Sequence, residues 1–138
     1  MREIKFRAKS IKTNKWIYGS YVEDKEWAKH YIYKQEHDGL YHKLIRHEVN
    51  PKTVGQYTGL KDKNGKEIYE GNIVSWLEHH SEIVFSAGTF CLADDESPGF
   101  HLHRCGLNAT LNLNGISKAE IIGNIYESPE LLKEQTNE

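Results

Sequence analysis

The run Thr53-Val54-Gly55-Gln56-Tyr57-Thr58-Gly59-Leu60-Lys61-Asp62-Lys63-Asn64-Gly65-Lys66-Glu67-Ile68-Tyr69-Glu70-Gly71-Asn72-Ile73-Val74 sets the architecture of this chain. Its first eight residues follow no clean hydrophobic period, but Asp62-Lys63-Asn64-Gly65 is a strong tight-turn sequence. Asn-Gly tolerates positive φ at both central positions, so a type I′ hairpin turn is expected there. Glu70-Gly71-Asn72 leads into a strand at Ile73, and Ile68, Tyr69, Ile73 and Val74 supply apolar bulk for a core.

Upstream, Ile4, Phe6 and Ala8 alternate with Glu3, Lys5, Arg7 and Lys9, the period of a half-buried strand. Thr13-Asn14 marks a turn, and Trp16 to Val22 reads as the returning strand of a hairpin. His30 to Gln35 and Leu40 to Val49 form a second expected hairpin around His37-Asp38-Gly39, with a short helix over Lys25 to Tyr33 as the alternative. Downstream, Ile73 to Leu77, Glu82 to Phe85, Thr89 to Ala93 and Glu120 to Tyr126 read as strands, with Phe100 to Cys105 and Leu107 to Leu113 as further candidates. Asp94 to Gly99 is an acidic loop. Ser128-Pro129-Glu130 is a helix start, with Ser at the N-cap and Pro at the first position, so a short helix should dock through Leu131 and Leu132. Short strands separated by turn residues indicate an antiparallel sheet or small barrel rather than a parallel α/β fold, so the class is mainly β, a β-rich α+β arrangement.

The 138 residues suffice for one domain or two very small ones, and the expected division is an N-terminal β-hairpin region over 1–50 and a second region over 51–138. With a mean hydropathy of −0.71, no stretch approaches the ~20 apolar residues that span a bilayer, and the start lacks the apolar centre of a signal peptide. The expected location is the cytoplasm, without a membrane partner, and Cys91 and Cys105 should be free thiols there. Residues 1–71 carry 15 Lys/Arg against 10 Asp/Glu and residues 72–138 carry 3 against 10, so a formal charge of −2 divides as +5 and −7. That split suits a homo-oligomer joining the basic half of one copy to the acidic half of the next, or two solvated faces attracting each other within one monomer.

The central run closely resembles the YopX family of phage and prophage proteins. The opening Arg2-Glu3-Ile4-Lys5-Phe6-Arg7-Ala8 and the closing Ile122-Gly123-Asn124-Ile125-Tyr126-Glu127-Ser128-Pro129-Glu130-Leu131-Leu132 extend the likeness across nearly the whole chain. The resemblance implies a β-rich fold whose later half is a small SH3-like barrel, in a phage or prophage accessory protein of no assigned activity. Two departures stand out: Lys9-Ser10 occupy the place of a common Trp-Asp, and Asn72 that of a common Asp.

Several residue groups are candidates for function. Lys5, Arg7 and Lys9 lie on the same hairpin as Trp16, Tyr18 and Tyr21, and residues 1–22 hold six basic groups against Glu3. Cations that follow phosphates beside rings that stack on bases suit nucleic acid, although a pI near 6.4 is low for a dedicated nucleic-acid domain. Gln56, Tyr57, Thr58, Lys61 and Tyr69 form a second candidate binding surface. His101, His103 and Cys105 alternate so that a strand would present two imidazoles and a thiolate on one face, with His79, His80 or Cys91 as a fourth zinc ligand, but ordinary polar side chains on an edge strand read as well. No CxxC, HExxH or phosphate-cradling glycine motif is present, so no cofactor and no enzymatic activity are expected. The balance favours a non-enzymatic interaction or self-assembling module, binding a host or phage protein or itself, with nucleic-acid binding as the alternative.

Overall fold

The computed structural model describes residues 3–76, 79–86, 88–93 and 119–133. The chain is mainly β, with strands β1 (Phe6–Lys9), β2 (Trp16–Asp24), β3 (Lys29–Asp38), β4 (Tyr41–Glu48), β5 (Gly55–Lys61), β6 (Glu67–Tyr69), β7 (Asn72–Trp76), β8 (His79–Ser86), β9 (Thr89–Ala93) and β10 (Glu120–Asn124), and helix α1 (Glu130–Lys133). Two antiparallel sheets run in the hydrogen-bonding orders β4-β3-β2-β1-β5-β6 and β10-β7-β8-β9. The chain divides into two compact units, Met1–Tyr57 and Thr58–Glu138.

In the first unit both expected hairpins form, with Asn14 and Gly39 at positive φ in their turns. The alternative helix over Lys25 to Tyr33 does not: Lys29 onward pairs with β2 from Asp24↔Lys29 to Ser20↔Tyr33, because Tyr31, Ile32 and Tyr33 gain more from a half-buried pleated surface than from a lone helical stripe. The inward face collects Ala8, Ile32 and Val49 with Phe6, Ile17, Tyr21 and Val54 around them. Val49 donates its N–H to His30 and bridges Ser10, so the end of β4 folds back beside β1.

The second unit buries Ile68, Val74, Ile83, Phe90 and Ala119 against Leu60, Leu92 and Ile121. Among the described residues its strands form no closed barrel. The expected strands Phe100 to Cys105 and Leu107 to Leu113, and the acidic loop, lie outside those residues. The short helix is present, and His80 Nδ1 meets the Leu131 carbonyl at 3.0 Å.

The turn after β5 departs from the expected type. Lys63 and Asn64 keep negative φ and Gly65 alone is left-handed, at +82°. Gly65 N–H donates to Asp62 O and Asp62 N–H to Lys66 O, the pattern of a type I turn closed by a glycine bulge. The Asp62 carboxylate selects this form by accepting from the Asn64 and Lys66 N–H groups at 2.8 and 2.9 Å, a cap the two-residue turn lacks. A Cβ at Gly65 would meet no atom within 4 Å, so the cost of Gly65→Val is set by the backbone conformation. A β-branched residue in the left-handed region should cost ~2 kcal/mol, read as a lower urea midpoint with unchanged slope.

Candidate functional site

Register decides which candidate residues meet. The pairs Lys9↔Trp16 and Arg7↔Tyr18 put Arg7, Lys9, Trp16 and Tyr18 on the outward face of the first unit's sheet. Ser20↔Tyr33 and Tyr33↔Arg46 carry that face on to Tyr31, Tyr33 and Arg46. The result alternates cations with rings. The Arg7 guanidinium lies 4.2 Å and Lys9 Nζ 5.4 Å from the Trp16 ring, Lys5 Nζ lies 5.3 Å from that of Tyr57, and the Arg46 guanidinium 4.6 Å from that of Tyr31. Ring attraction of this kind holds a cation against the sheet instead of leaving it in water. Arg7 accordingly retains 7% of its exposure and Tyr57 5%. Lys5 also lies 3.4 Å from Glu3.

The other candidates separate. Gln56 opposes Phe6 and so shares the inward face, whereas Tyr21 turns to the core side, its ring stacked on His30 and its hydroxyl 2.6 Å from His30 Nδ1. Burial and the nearby Glu23 push the Tyr21 phenol up. Lys61 is exposed at the end of β5 and Thr58 is buried, its hydroxyl donating to the Ile68 carbonyl. Tyr69 is buried at 2% exposure, donates its hydroxyl to Glu67 and receives a cap on its N–H from Asn72 Oδ1 at 2.7 Å. Asn72 also donates from Nδ2 to the Gly123 carbonyl, a bond that a carboxylate at that position cannot make. Asn72 therefore braces the turn before β7.

His101, His103 and Cys105 lie outside the described residues. Among the described residues no group of three or more His, Cys, Asp or Glu is arranged to hold a metal ion. Cys91 is buried, and burial pushes its thiol up, away from the thiolate a nucleophile needs. In a Cys105→Ser variant, a thiol reagent should label Cys91 only as fast as the second unit opens, and rapidly in urea. Rapid labelling of the folded protein would instead make Cys91 a nucleophile candidate. A cleft of about 410 Å³ in the first unit is lined by Ser10, Asn14, Lys29, His30, Glu48 and Asn50 among others, with Lys29 Nζ 3.9 Å from Glu48.

Among the described residues, the largest group of neighbouring exposed apolar side chains is elsewhere, on residues that sequence reading passed over. Pairing of β2 with β3 ends at Ser20↔Tyr33, whereas β3 and β4 stay paired as far as Asp38↔Tyr41. Residues 34–45 thus form a two-stranded arm with neither flank paired to a described strand. Leu40, Tyr41, Leu44 and Ile45 lie on it in the open, Tyr41 at 68% and Leu44 at 64% exposure. At its end the rings of His37 and His42 meet across the strands, 4.0 Å between centroids. The sequence signal was the run Leu40-Tyr41-His42-Lys43-Leu44-Ile45, whose apolar residues follow no single face.

The family model described as YopX protein matches residues 5–133. Among solved structures, the chain is similar to the crystal structure of protein EF1440 from Enterococcus faecalis, at 23% identity and a TM-score of 0.57, over 96% of this chain and 99% of that one. That likeness is one of fold. None of the curated proteins matches the chain.

Proposed function

The chain belongs to the YopX family, and we propose that it works as a non-enzymatic interaction module that takes an extended segment of a partner protein onto the free edge of β4. One observation carries this reading: β4 is the terminal strand of its sheet, eight residues long, and exposes Tyr41, Leu44 and Ile45 along an edge paired to no described strand. Among the described residues, the backbone bond on that side is the one from Ile11 N–H to the Glu48 carbonyl at its end. An unpaired edge carries a row of N–H and C=O groups that a strand from another chain can satisfy. An isolated two-stranded ribbon is at best marginally stable, so a third strand would also stabilise the arm.

Leu44→Pro tests the reading. Proline removes an N–H that points away from β3, so the hairpin should persist while strand addition is blocked. Affinity capture from cells expressing the protein should return a partner with wild type and lose it with Leu44→Pro, the urea midpoint staying within ~1 kcal/mol of wild type. A partner retained by Leu44→Pro but lost in Lys5→Glu/Arg7→Glu would sink the β4 reading.

Nucleic-acid binding is the second reading, favoured by the outward face on which Lys9, Arg46, Trp16, Tyr18 and Tyr33 alternate. It ranks lower because Arg7, Lys9 and Arg46 already lie against rings of their own sheet, where bases would have to compete.

A further inference from the structure

The register of β4 specifies what its edge accepts. His30 and Val49 are opposite residues, and Val49 N–H bonds the His30 carbonyl, so hydrogen-bonded pairs recur at every second position along β3 and β4. Tyr41, Lys43, Ile45 and His47 therefore direct their backbone groups at β3. His42, Leu44, Arg46 and Glu48 direct theirs outward, as the bond from Ile11 N–H to the Glu48 carbonyl requires.

Along this edge the side chains read His42-Lys43-Leu44-Ile45-Arg46-His47, two basic-type residues, two apolar, two basic-type. Alternation divides them between the two faces, and on each face one apolar residue is flanked by two basic-type ones. The pattern is palindromic. An antiparallel second copy must oppose outward-directed residues to each other, and centred on Leu44 it would set His42 against Arg46 twice on the face that carries the leucine. Cationic side chains on an edge strand are a common guard against such self-pairing. The inner neighbour already supplies the complementary charge on one face: Glu36 on β3 opposes Lys43 and lies 3.1 Å from His47 Nε2.

We infer that the occupant of the β4 edge is an extended segment of a different protein, with two adjacent apolar residues flanked on both sides by pairs of Asp or Glu. This rests on the strand-addition reading above. Because the basic pattern is symmetric about its centre, such a segment fits in either direction. No described strand of this chain carries the complementary pattern, which argues against a second copy as donor.

The test uses a synthetic peptide reading Thr-Glu-Glu-Val-Val-Glu-Glu-Thr, titrated into the full chain while backbone amide shifts are followed. Shifts should concentrate at His42, Leu44 and Arg46. Replacing the four Glu by Gln should weaken binding several-fold, from the loss of the cross-strand charge pairs with Lys43 and Arg46. The variant Lys43→Glu/Arg46→Glu should reject the acidic peptide and prefer one with Lys in place of Glu, and Leu44→Pro should bind neither. Equal affinity for the Glu and Gln peptides would overturn the acidic specificity and leave strand addition standing. If no peptide binds but Leu44→Pro abolishes capture of a cellular partner, the inference again fails and the broader reading survives. A concentration-dependent oligomer lost in Leu44→Pro would make the occupant a second copy, and a single-stranded oligothymidine shifting Tyr18 and Tyr33 instead of β4 would make it nucleic acid. Either result overturns the inference.

Discussion

Gly19→Ala should unfold the first unit or cost it at least ~3 kcal/mol, a large share of the roughly 5–15 kcal/mol that holds a typical domain together. A Cβ at Gly19 would sit well inside van der Waals contact of the Tyr33 carbonyl oxygen and 3.1 Å from Ile32 Cγ2. The oxygen belongs to the β3 backbone, so no side-chain rotation relieves the clash. Ile32 is fully buried and cannot retreat without opening the core around Ala8 and Val49. Gly19 stands where β2 leaves β3, one residue before the pairing begins at Ser20↔Tyr33, and the close approach is what lets β2 lie between β1 and β3. Urea melts followed by Trp fluorescence, with amide spectra to localise the loss, provide the measurement. Wild-type stability in Gly19→Ala would mean that the two backbones are farther apart than described.

The second large effect should come from Asp62→Ala, at ~3–5 kcal/mol. Asp62 is 5% exposed, and its carboxylate accepts three backbone N–H groups: Asn64 and Lys66 within its own turn, and Ile121 at 3.0 Å from a strand 59 positions away. Alanine leaves those donors with no acceptor, each costing roughly 1–3 kcal/mol where water cannot reach. Asp62→Asn should fall between, because its amide oxygen can keep one set of bonds while its NH2 faces donors on the other side. Comparing urea midpoints for wild type, Asn and Ala gives the order. If Ala and Asn proved equal and mild, water would be reaching this turn.

How much of this was legible beforehand differs from residue to residue. Alternation in Ile4 to Lys9 placed Lys5, Arg7 and Lys9 on one side, as found, because a strand's period of two is a local property. The same rule applied to β2 separates Tyr21 from Trp16 and Tyr18, but grouping the three by hairpin membership obscured it. Tyr69 read first as core and second as binding surface, and its neighbours in space decide for the core. The Asp62 to Gly65 turn was placed correctly and its type missed: Asn-Gly favours positive φ at both central positions, but a carboxylate cap supplied by the preceding residue outweighed that preference.

By itself the sequence determined the mainly β class, the positions of the two N-terminal hairpins, the start of the C-terminal helix and the family, because these follow from side-chain period, turn chemistry and a specific run of residues. The tertiary structure alone decided that β4 is an edge, that residues 34–45 project beyond β2, that Arg7 lies under Trp16 rather than in water, and that Asp62 reaches Ile121. The physical reason is the same in each case: these depend on which strands exchange hydrogen bonds across long separations, and residues such as Leu44 have the same local pattern on an edge as in the middle of a sheet.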